Sequence, residues 1–401
     1  MDRAAHAVPA GAYLDHAAST PMRPEAVEAM TPYLSGCFAN PSGGHRAARA
    51  AKAALEEARE TVAAGLGAGP GEVVFTAGGT EADNLAVEGA ARARRAEGRS
   101  DAVVTCAFEH KAVLAAVERL EREGSAVRRV PATRGGIVDL DALADAVDAS
   151  TAVVSVMLVN NEVGTIQPLD EVARIVRERA PAAVLHTDAV QAVPWIDAAA
   201  AVAVADLVSI SGHKFGGPKG SGALVVRDGI QLQPLLEGGG QERGRRAGTV
   251  NVAGAVATAA ALRATIDARA TDTERVRRLR DRLLVGLEEL VDGLFVNGDA
   301  AHKVSGSCHI GVPGVESELL LLALDRLGIC AASGSSCSSG ATEPSHVLAA
   351  MGVPMEDARC SIRLSLGFAS TDTDVDRALE AIPQAVSRLR RAGGAGYPGA
   401  E

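Results

Sequence analysis

The sequence predicts an α/β protein in which a parallel sheet covered by helices forms a large domain, followed by a smaller second domain. Three observations carry that prediction. Between residues 70 and 225, short apolar runs alternate with helical periods, the pattern that parallel sheets require. Hydrophobic residues make up 47% of the chain but aromatics only 2%, so the core must be built from Ala, Val, Leu and Ile, which suits a sheet covered on both faces. The length, 401 residues, exceeds what a single hydrophobic core usually sustains.

The first residues with turn character run from Gly11 to Pro24. Helical spacing of apolar residues follows over Glu25–Tyr33 and Arg46–Gly65, with the loop Asn40–His45 between them. That loop is rich in turn formers, and the structural reading is favoured there over a ligand contact. Glu72–Thr76 reads as a strand. It runs into Ala77-Gly78-Gly79-Thr80 and a helix from Glu81 to Ala91. A strand, a glycine turn and a helix start can collect a phosphate on free N–H groups, or can simply be a tight turn capped by Thr80. No GK[ST] follows, which argues against a nucleotide P-loop.

The same arrangement recurs along the chain. Val103–Cys106 ends at His110 ahead of a helix beginning near Ala112, and Thr151–Val159 runs into Asn160 and Asn161. After a helix over Leu169–Glu178, the apolar run in 182–191 exits at Asp188, and the Val-rich run Val202–Ile210 empties into a Gly/Pro loop carrying Lys214. Ligands of open α/β sheets lie at the carboxyl ends of strands. Thr80, His110, Asn161, Asp188 and Lys214 therefore form a candidate cofactor cleft. A lysine so placed can form a Schiff base when deprotonated by burial, and a carboxylate can keep a cofactor ring nitrogen charged. Each residue alone also has a plainer reading: a surface lysine, a helix-start histidine, an Asn-rich turn. A metal role for Asp188 is disfavoured, because no second carboxylate or suitably spaced histidine accompanies it.

Further on, Glu237–Thr249 is a glycine-rich basic loop that could bind an anion, bridge subunits or act as a linker. A long helical region follows, with a capping-box pattern at Thr271 and Glu274 and with Val276, Leu279, Leu283, Leu287 and Leu290 along one face. A domain change is placed near residue 265. Ser307–Val312 reads as a strand, Glu316–Leu327 as a helix, and Ser361–Leu366 as an alternating strand with Arg363 opposite Ile362 and Leu364. Arg363 is a candidate carboxylate clamp. Cys337 stands among small residues, either as an accessible thiol or as an accidental linker cysteine.

Composition also excludes. A formal net charge of −10 works against unaided binding to nucleic acid. Neither a signal peptide's apolar stretch nor a membrane span is found, so a cytoplasmic location is expected. The six cysteines lack any CxxC pair, which suggests neither a zinc site nor a disulfide framework.

Taken together, the motifs resemble those of the cysteine desulfurases, pyridoxal 5'-phosphate (PLP) enzymes of the class V aminotransferase group. They are YLDHAAST (13–20), NPSGGH (40–45), FTAGGTEADNLA (75–86), EHKAVL (109–114), VNNEVGTIQP (159–168), HTDAVQ (186–191), SGHKFGGPKGSGAL (211–224), GGGQERGRRAGT (238–249), SGSSCSSG (333–340) and SIRLSLG (361–367). They cover nearly the whole chain in order. The resemblance implies a PLP-dependent transferase-like fold with a mainly parallel seven-stranded sheet in a large domain, residues 25–265. It implies a smaller α+β domain, 266–401, with which residues 1–24 pack and which carries the Cys337 loop. It also implies that Lys214 holds the cofactor as a Schiff base, that Asp188 pairs with the ring nitrogen, and that His110 stacks on the ring. Asn161 and Gln191 are implied as partners of the ring's phenolic oxygen. Gly79, Thr80, Ser211 and His213 match the phosphate site, and Thr249 matches a residue that reaches the cofactor phosphate of the partner subunit in a homodimer. Arg363 would grip the substrate carboxylate and Cys337 would take sulfur from L-cysteine as a persulfide, for delivery to a sulfur-acceptor protein in iron–sulfur assembly, tRNA thiolation or DNA sulfur modification. Departures from the family pattern are Gly79, where alanine is frequent, Gln241, where histidine is frequent, and the serines flanking Cys337. The alternatives on the same scaffold are a selenocysteine lyase or another class V aminotransferase; outside enzymes, it is a sulfur-acceptor scaffold.

Overall fold

A computed structural model describes residues 11–333 and 345–394. The first strand, β1 (Ala12–Tyr13), belongs to the smaller part of the molecule. The large part is organised on seven strands: β2 (Val73–Thr76), β3 (Ala102–Cys106), β4 (Val127–Val130), β5 (Thr151–Ser155), β6 (Val184–Asp188), β7 (Leu207–Ser211) and β8 (Gly222–Val226). Their order is β2-β8-β7-β6-β5-β3-β4. Strands β3 to β7 are mutually parallel, and β8 runs antiparallel to both β7 and β2. The expected mainly parallel seven-stranded sheet is therefore present. Val and Leu side chains on its two faces belong to two separate buried clusters, one on each side. That is why the strands read as continuous apolar runs rather than alternating ones.

The smaller part contains β9 (Phe295–Val296), β10 (Ser307–Gly311), β11 (Ile329–Cys330) and β12 (Ser361–Ser365). Strand β10 pairs antiparallel with β9 and β12, while β11 pairs with β1. Its apolar face, Cys308, Ile310, Ile362 and Leu364, packs on Val276, Leu279, Leu283 and Leu287. The opposite face carries Ser307, His309, Ser361 and Arg363, all buried.

Several local readings are corrected. Strand β5 stops at Ser155 rather than Val159, although Val156 N and Leu158 N still donate to the carbonyls of His186 and Asp188 on β6. Strand β7 begins at Leu207; the preceding Val202–Ala205 is a turn after a short helix, and the Asp206 carboxylate accepts from Leu185 N there. Leu290 is exposed rather than on the buried face, and Thr271 and Glu274 cap no helix among the described residues. They lie inside one continuous helix, Val252–Leu290, whose actual N-cap is Asn251, accepting from Gly254 N at 2.9 Å. Strand β4 was not anticipated at all, since its residues Val-Arg-Arg-Val are half exposed at the sheet edge.

One long-range ion pair fastens the basic loop to the sheet. Arg59, 3% exposed, forks onto Glu242 at 2.7 and 2.8 Å, and Glu242 also accepts from Phe75 N at 2.8 Å. Glu242 and Arg243 hold φ of 47° and 56° without being glycine, a left-handed backbone that costs about 1–2 kcal/mol per residue. The buried bidentate pair offsets that cost. Arg59→Ala would strand Glu242 as a buried unpaired charge, and a destabilisation of about 3–5 kcal/mol is expected, read as a lower urea midpoint. A midpoint equal to wild type would show that the pair does not hold this loop.

Candidate active site

The parallel strands deliver their chemistry to one edge of the sheet. Strand β6 ends at Asp188, β7 ends at Ser211 just before Lys214, β3 leads to His110, β5 to Asn161, and β2 to the Gly78–Gly79 turn. The turn of residues 16–19 closes the site from above. Lys214 Nζ donates to the carbonyls of Ala17 and Ala18 at 2.6 and 2.9 Å, and Gln191 Nε2 donates to Ala17 O at 2.8 Å. On one side of this turn a cleft is lined by Asn161, Gln191 and Lys214; on the other, a cleft is lined by Gly79, Thr80, Ser211 and His213.

Asp188 is buried, with Oδ1 accepting from Val190 N at 2.9 Å. Burial pushes its carboxyl pKa up, against the opposing pull of His110, the Val190 N–H and Lys214. A cation held against it would restore the charged form. Burial is also the main reason the His110 pKa is lowered, so the ring is neutral near pH 7. Its Nδ1 accepts from Ala112 N at 3.2 Å as the helix N-cap, which leaves the proton on Nε2.

Behind Asp188 lies a polar layer that the sequence did not reveal. His186 is fully buried between Ser155 Oγ at 2.9 Å and Ser209 Oγ at 3.0 Å, and Asp83 Oδ1 is 3.6 Å from its Nε2. Burial and the nearby Asp188 charge push the Asp83 carboxyl well above its ordinary range. One ligand atom each from Asp83, His110 and Asp188 lie within 4.8 Å of one another. Asp83 belongs to the helix opened by the phosphate-type turn and His186 to the apolar β6, where both read as ordinary helix and strand residues.

The glycine turn is built for close approach. Gly78 has φ of +145°, a value open to glycine and rarely to other residues. A Cβ on Gly79 would stand 3.0 Å from Val190 Cγ2 and 3.3 Å from Ser211 Cβ. The helix Gly79–Ala96 starts here with no side-chain cap, so its first N–H groups and its dipole face the cleft, where an anion is favoured. His213, with a pKa lowered to about 4 chiefly by burial, sits 3.3 Å from Ser19 Oγ.

Arg363 comes from the smaller part and reaches into the large one. It donates to Asn161 O at 2.9 Å and to Asp15 Oδ1 at 2.7 Å, while its Nε is buried without a partner among the described residues. Of the two adjacent amides, Asn160 is structural: its Oδ1 accepts from Glu162 N and Val163 N. Asn161 Oδ1 is a buried acceptor with no hydrogen-bond partner among the described residues. Thr249 is exposed on the basic loop, away from both clefts. Cys337 lies outside the described residues.

These donors and acceptors fit PLP. A buried carboxyl lacking a strong counter-charge suits a ring N–H, a turn without side chains suits a phosphate, and the orphaned amide oxygen suits a hydroxyl donor. Residues 12–378 match the aminotransferase class-V family. The IscS-like cysteine desulfurase of Mycobacterium tuberculosis is 46% identical over 386 residues, 95% of this chain and 98% of that one. The chain belongs to the class V aminotransferases, in their cysteine desulfurase group. Class V cysteine desulfurases are PLP-dependent, sulfur-mobilising enzymes. A solved NifS-like protein superposes with a TM-score of 0.88 at 34% identity, covering 94% of this chain and all of the other (100%). A structure titled SspA in complex with cysteine gives 0.79 at 32% identity, over 90% of this chain and 100% of that one. No helix among the described residues is long and apolar enough to cross a membrane.

Two fully buried histidines of this desulfurase contribute to its acid sensitivity. His186 and His309 each have a pKa lowered to about 3 by burial, whereas in the unfolded chain each takes a proton near pH 6.5. Between pH 6.5 and 3 the unfolded state binds the extra proton, so stability falls as pH falls, by about 1.4 kcal/mol per pH unit for each site. His309→Asn should flatten the pH dependence of the urea-unfolding free energy by about that amount over this window. Identical slopes in wild type and variant would place the His309 pKa near its ordinary value.

Proposed function

We propose that this chain converts L-cysteine to L-alanine and carries the released sulfur as a persulfide on Cys337. The observation that supports this best is the convergence of Lys214, Asp188 and His110 at one edge of the large sheet, where Arg363 of the smaller part donates to Asn161 O. Lys214 would hold the cofactor aldehyde, Asp188 its ring nitrogen, and His110 its ring face. Gly79, Thr80, Ser211 and His213 would hold its phosphate, while Asn161 and Gln191 would contact its hydroxyl. Bound PLP supplies an electron sink for the substrate carbons.

The rest is the work of the chain. The Arg363 fork takes the substrate carboxylate in exchange for Asp15, fixing the Cα–H bond toward Lys214 Nζ, which moves that proton. The neutral His110 ring, with its proton on Nε2, can pass a proton without leaving a second buried cation beside Lys214. The Cys337 thiolate attacks the substrate sulfur: an S–S bond forms, the Cβ–S bond breaks, and its electron pair stays on the substrate carbon, which takes up a proton to give alanine.

We assign the cofactor to a large domain, 25–265. The smaller domain, 266–401, supplies Arg363 and Cys337, and residues 1–24 pack with it. Exposed Thr249, on a loop pinned by Arg59 and Glu242, supports a homodimer in which it serves the partner subunit's cofactor. Delivery of sulfur to an acceptor protein, such as an iron–sulfur scaffold, follows from the persulfide, and a cytoplasmic setting suits free thiols.

Purified protein should show a visible cofactor band that Lys214→Ala abolishes. Cys337→Ser should keep the band and lose alanine formation from cysteine by at least about a hundredfold. Full alanine production by Cys337→Ser would sink the persulfide mechanism. Arg363→Lys, which replaces a planar fork by a point charge, should raise KM for cysteine by roughly tenfold or more; an unchanged KM would remove Arg363 from substrate binding.

A further inference from the structure

The arginines of the basic loop 237–249 reach back onto the segments around β2. Arg243 Nη1 donates to Gly71 O at 3.2 Å, and Arg245 Nη1 donates to the same carbonyl at 3.3 Å. Arg246 goes to the phosphate-type turn instead. Its Nε donates to Glu81 Oε1 at 2.8 Å and its Nη2 to Glu81 Oε2 at 3.3 Å, with both side chains largely buried. Glu81 stands in the first turn of the helix Gly79–Ala96 and lines the same cleft as Gly79, Thr80, Ser211 and His213. A carboxylate there cancels part of the positive field that an anion seeks at a helix N-terminus. Local structure explains its presence: Glu81 Oε2 accepts from Ala77 N at 2.7 Å, a reach-back that closes the turn while Gly78 holds its φ of +145°. The turn needs the carboxylate oxygen, and an anion in the turn is repelled by the carboxylate charge. Of the other titratable groups on this cleft, Lys219 is exposed and His213 is neutral, its pKa lowered to about 4 chiefly by burial.

We propose that Arg246 is a positioning residue for the cofactor phosphate: paired with Glu81, it cancels the carboxylate charge that lines the phosphate turn and leaves the Glu81 bond to Ala77 N intact. The inference rests on the reading above that this turn takes the PLP phosphate. A guanidinium suits the task, because its fork engages both carboxylate oxygens while Oε2 keeps a lone pair for the backbone N–H. Without Arg246, the Glu81 charge would face the phosphate in a site partly shielded from water, and phosphate binding would weaken on the order of 10-fold. The ring end of the cofactor would not share that loss, since Asp188 and Lys214 keep the hydrogen bonds already described.

The test titrates the full-length protein, stripped of cofactor, with PLP and with pyridoxal, which has the aldehyde and the ring nitrogen but no phosphate. The visible band follows binding, and the ratio of the two dissociation constants reads the phosphate turn alone. In Arg246→Ala and in Arg246→Gln, which keeps an N–H donor without the charge, the advantage of PLP over pyridoxal should shrink on the order of 10-fold, all of it through weaker PLP binding. Adding Glu81→Gln to Arg246→Gln removes the stranded charge and keeps an acceptor for Ala77 N, so the ratio should return to within about threefold of wild type. Glu81→Gln alone should bind PLP at least as tightly as wild type. An unchanged ratio in both Arg246 variants overturns the proposal. So does a double variant as weak as Arg246→Gln, because the loss would then come from the shape of the loop and not from charge, and so does an equal loss for PLP and pyridoxal. If the wild-type protein binds PLP no more tightly than pyridoxal, the phosphate reading itself falls, and the role of Arg246 with it.

Discussion

Asp188 is the constraint around which the large sheet is arranged. A carboxyl at the end of a central parallel strand cannot be left charged and alone, because desolvation penalises it heavily. The chain surrounds it with groups that tolerate the charge only in part: one backbone N–H, a neutral His110, and Lys214, held by two carbonyls of the 16–19 turn. The layer beneath is kept neutral as well, with His186 lowered to about 3 and Asp83 pushed up. A second fixed charge there would add to the electrostatic cost of keeping the buried Asp188 carboxyl ionised.

The strand-end chemistry was legible in the sequence because a buried parallel strand is a run of Val, Leu and Ile, and the first polar residue after it marks the edge where ligands bind. That rule located Thr80, His110, Asn161, Asp188 and Lys214 without any tertiary information. It could not locate contacts whose partners are distant in sequence. Arg59 and Glu242 are 183 positions apart, Ser345 and Glu162 likewise 183, and each of these residues reads locally as an ordinary helix or loop polar group. The capping-box pattern at Thr271 and Glu274 misleads for the same reason. A Ser/Thr-x-x-Glu pattern reports a local preference, and here burial of an alanine-rich stretch on the large sheet, Ala255, Ala257, Ala259, Ala261 and Leu262, extends the helix upstream through it.

That helix explains how two separately cored parts can share a site. Over its 39 residues, about 58 Å at 1.5 Å per residue, the first half is buried against the large sheet and the second half against β10 and β12. Arg363 then bridges the two parts directly, bonding Asn161 O on the large side and Asp15 on the other. Opening the site by swinging the small part away would bend a helix that contains no proline and would strand a guanidinium that is 3% exposed. Both costs oppose such a motion. The separation of Arg363 from Lys214 is therefore a rigid dimension of the fold.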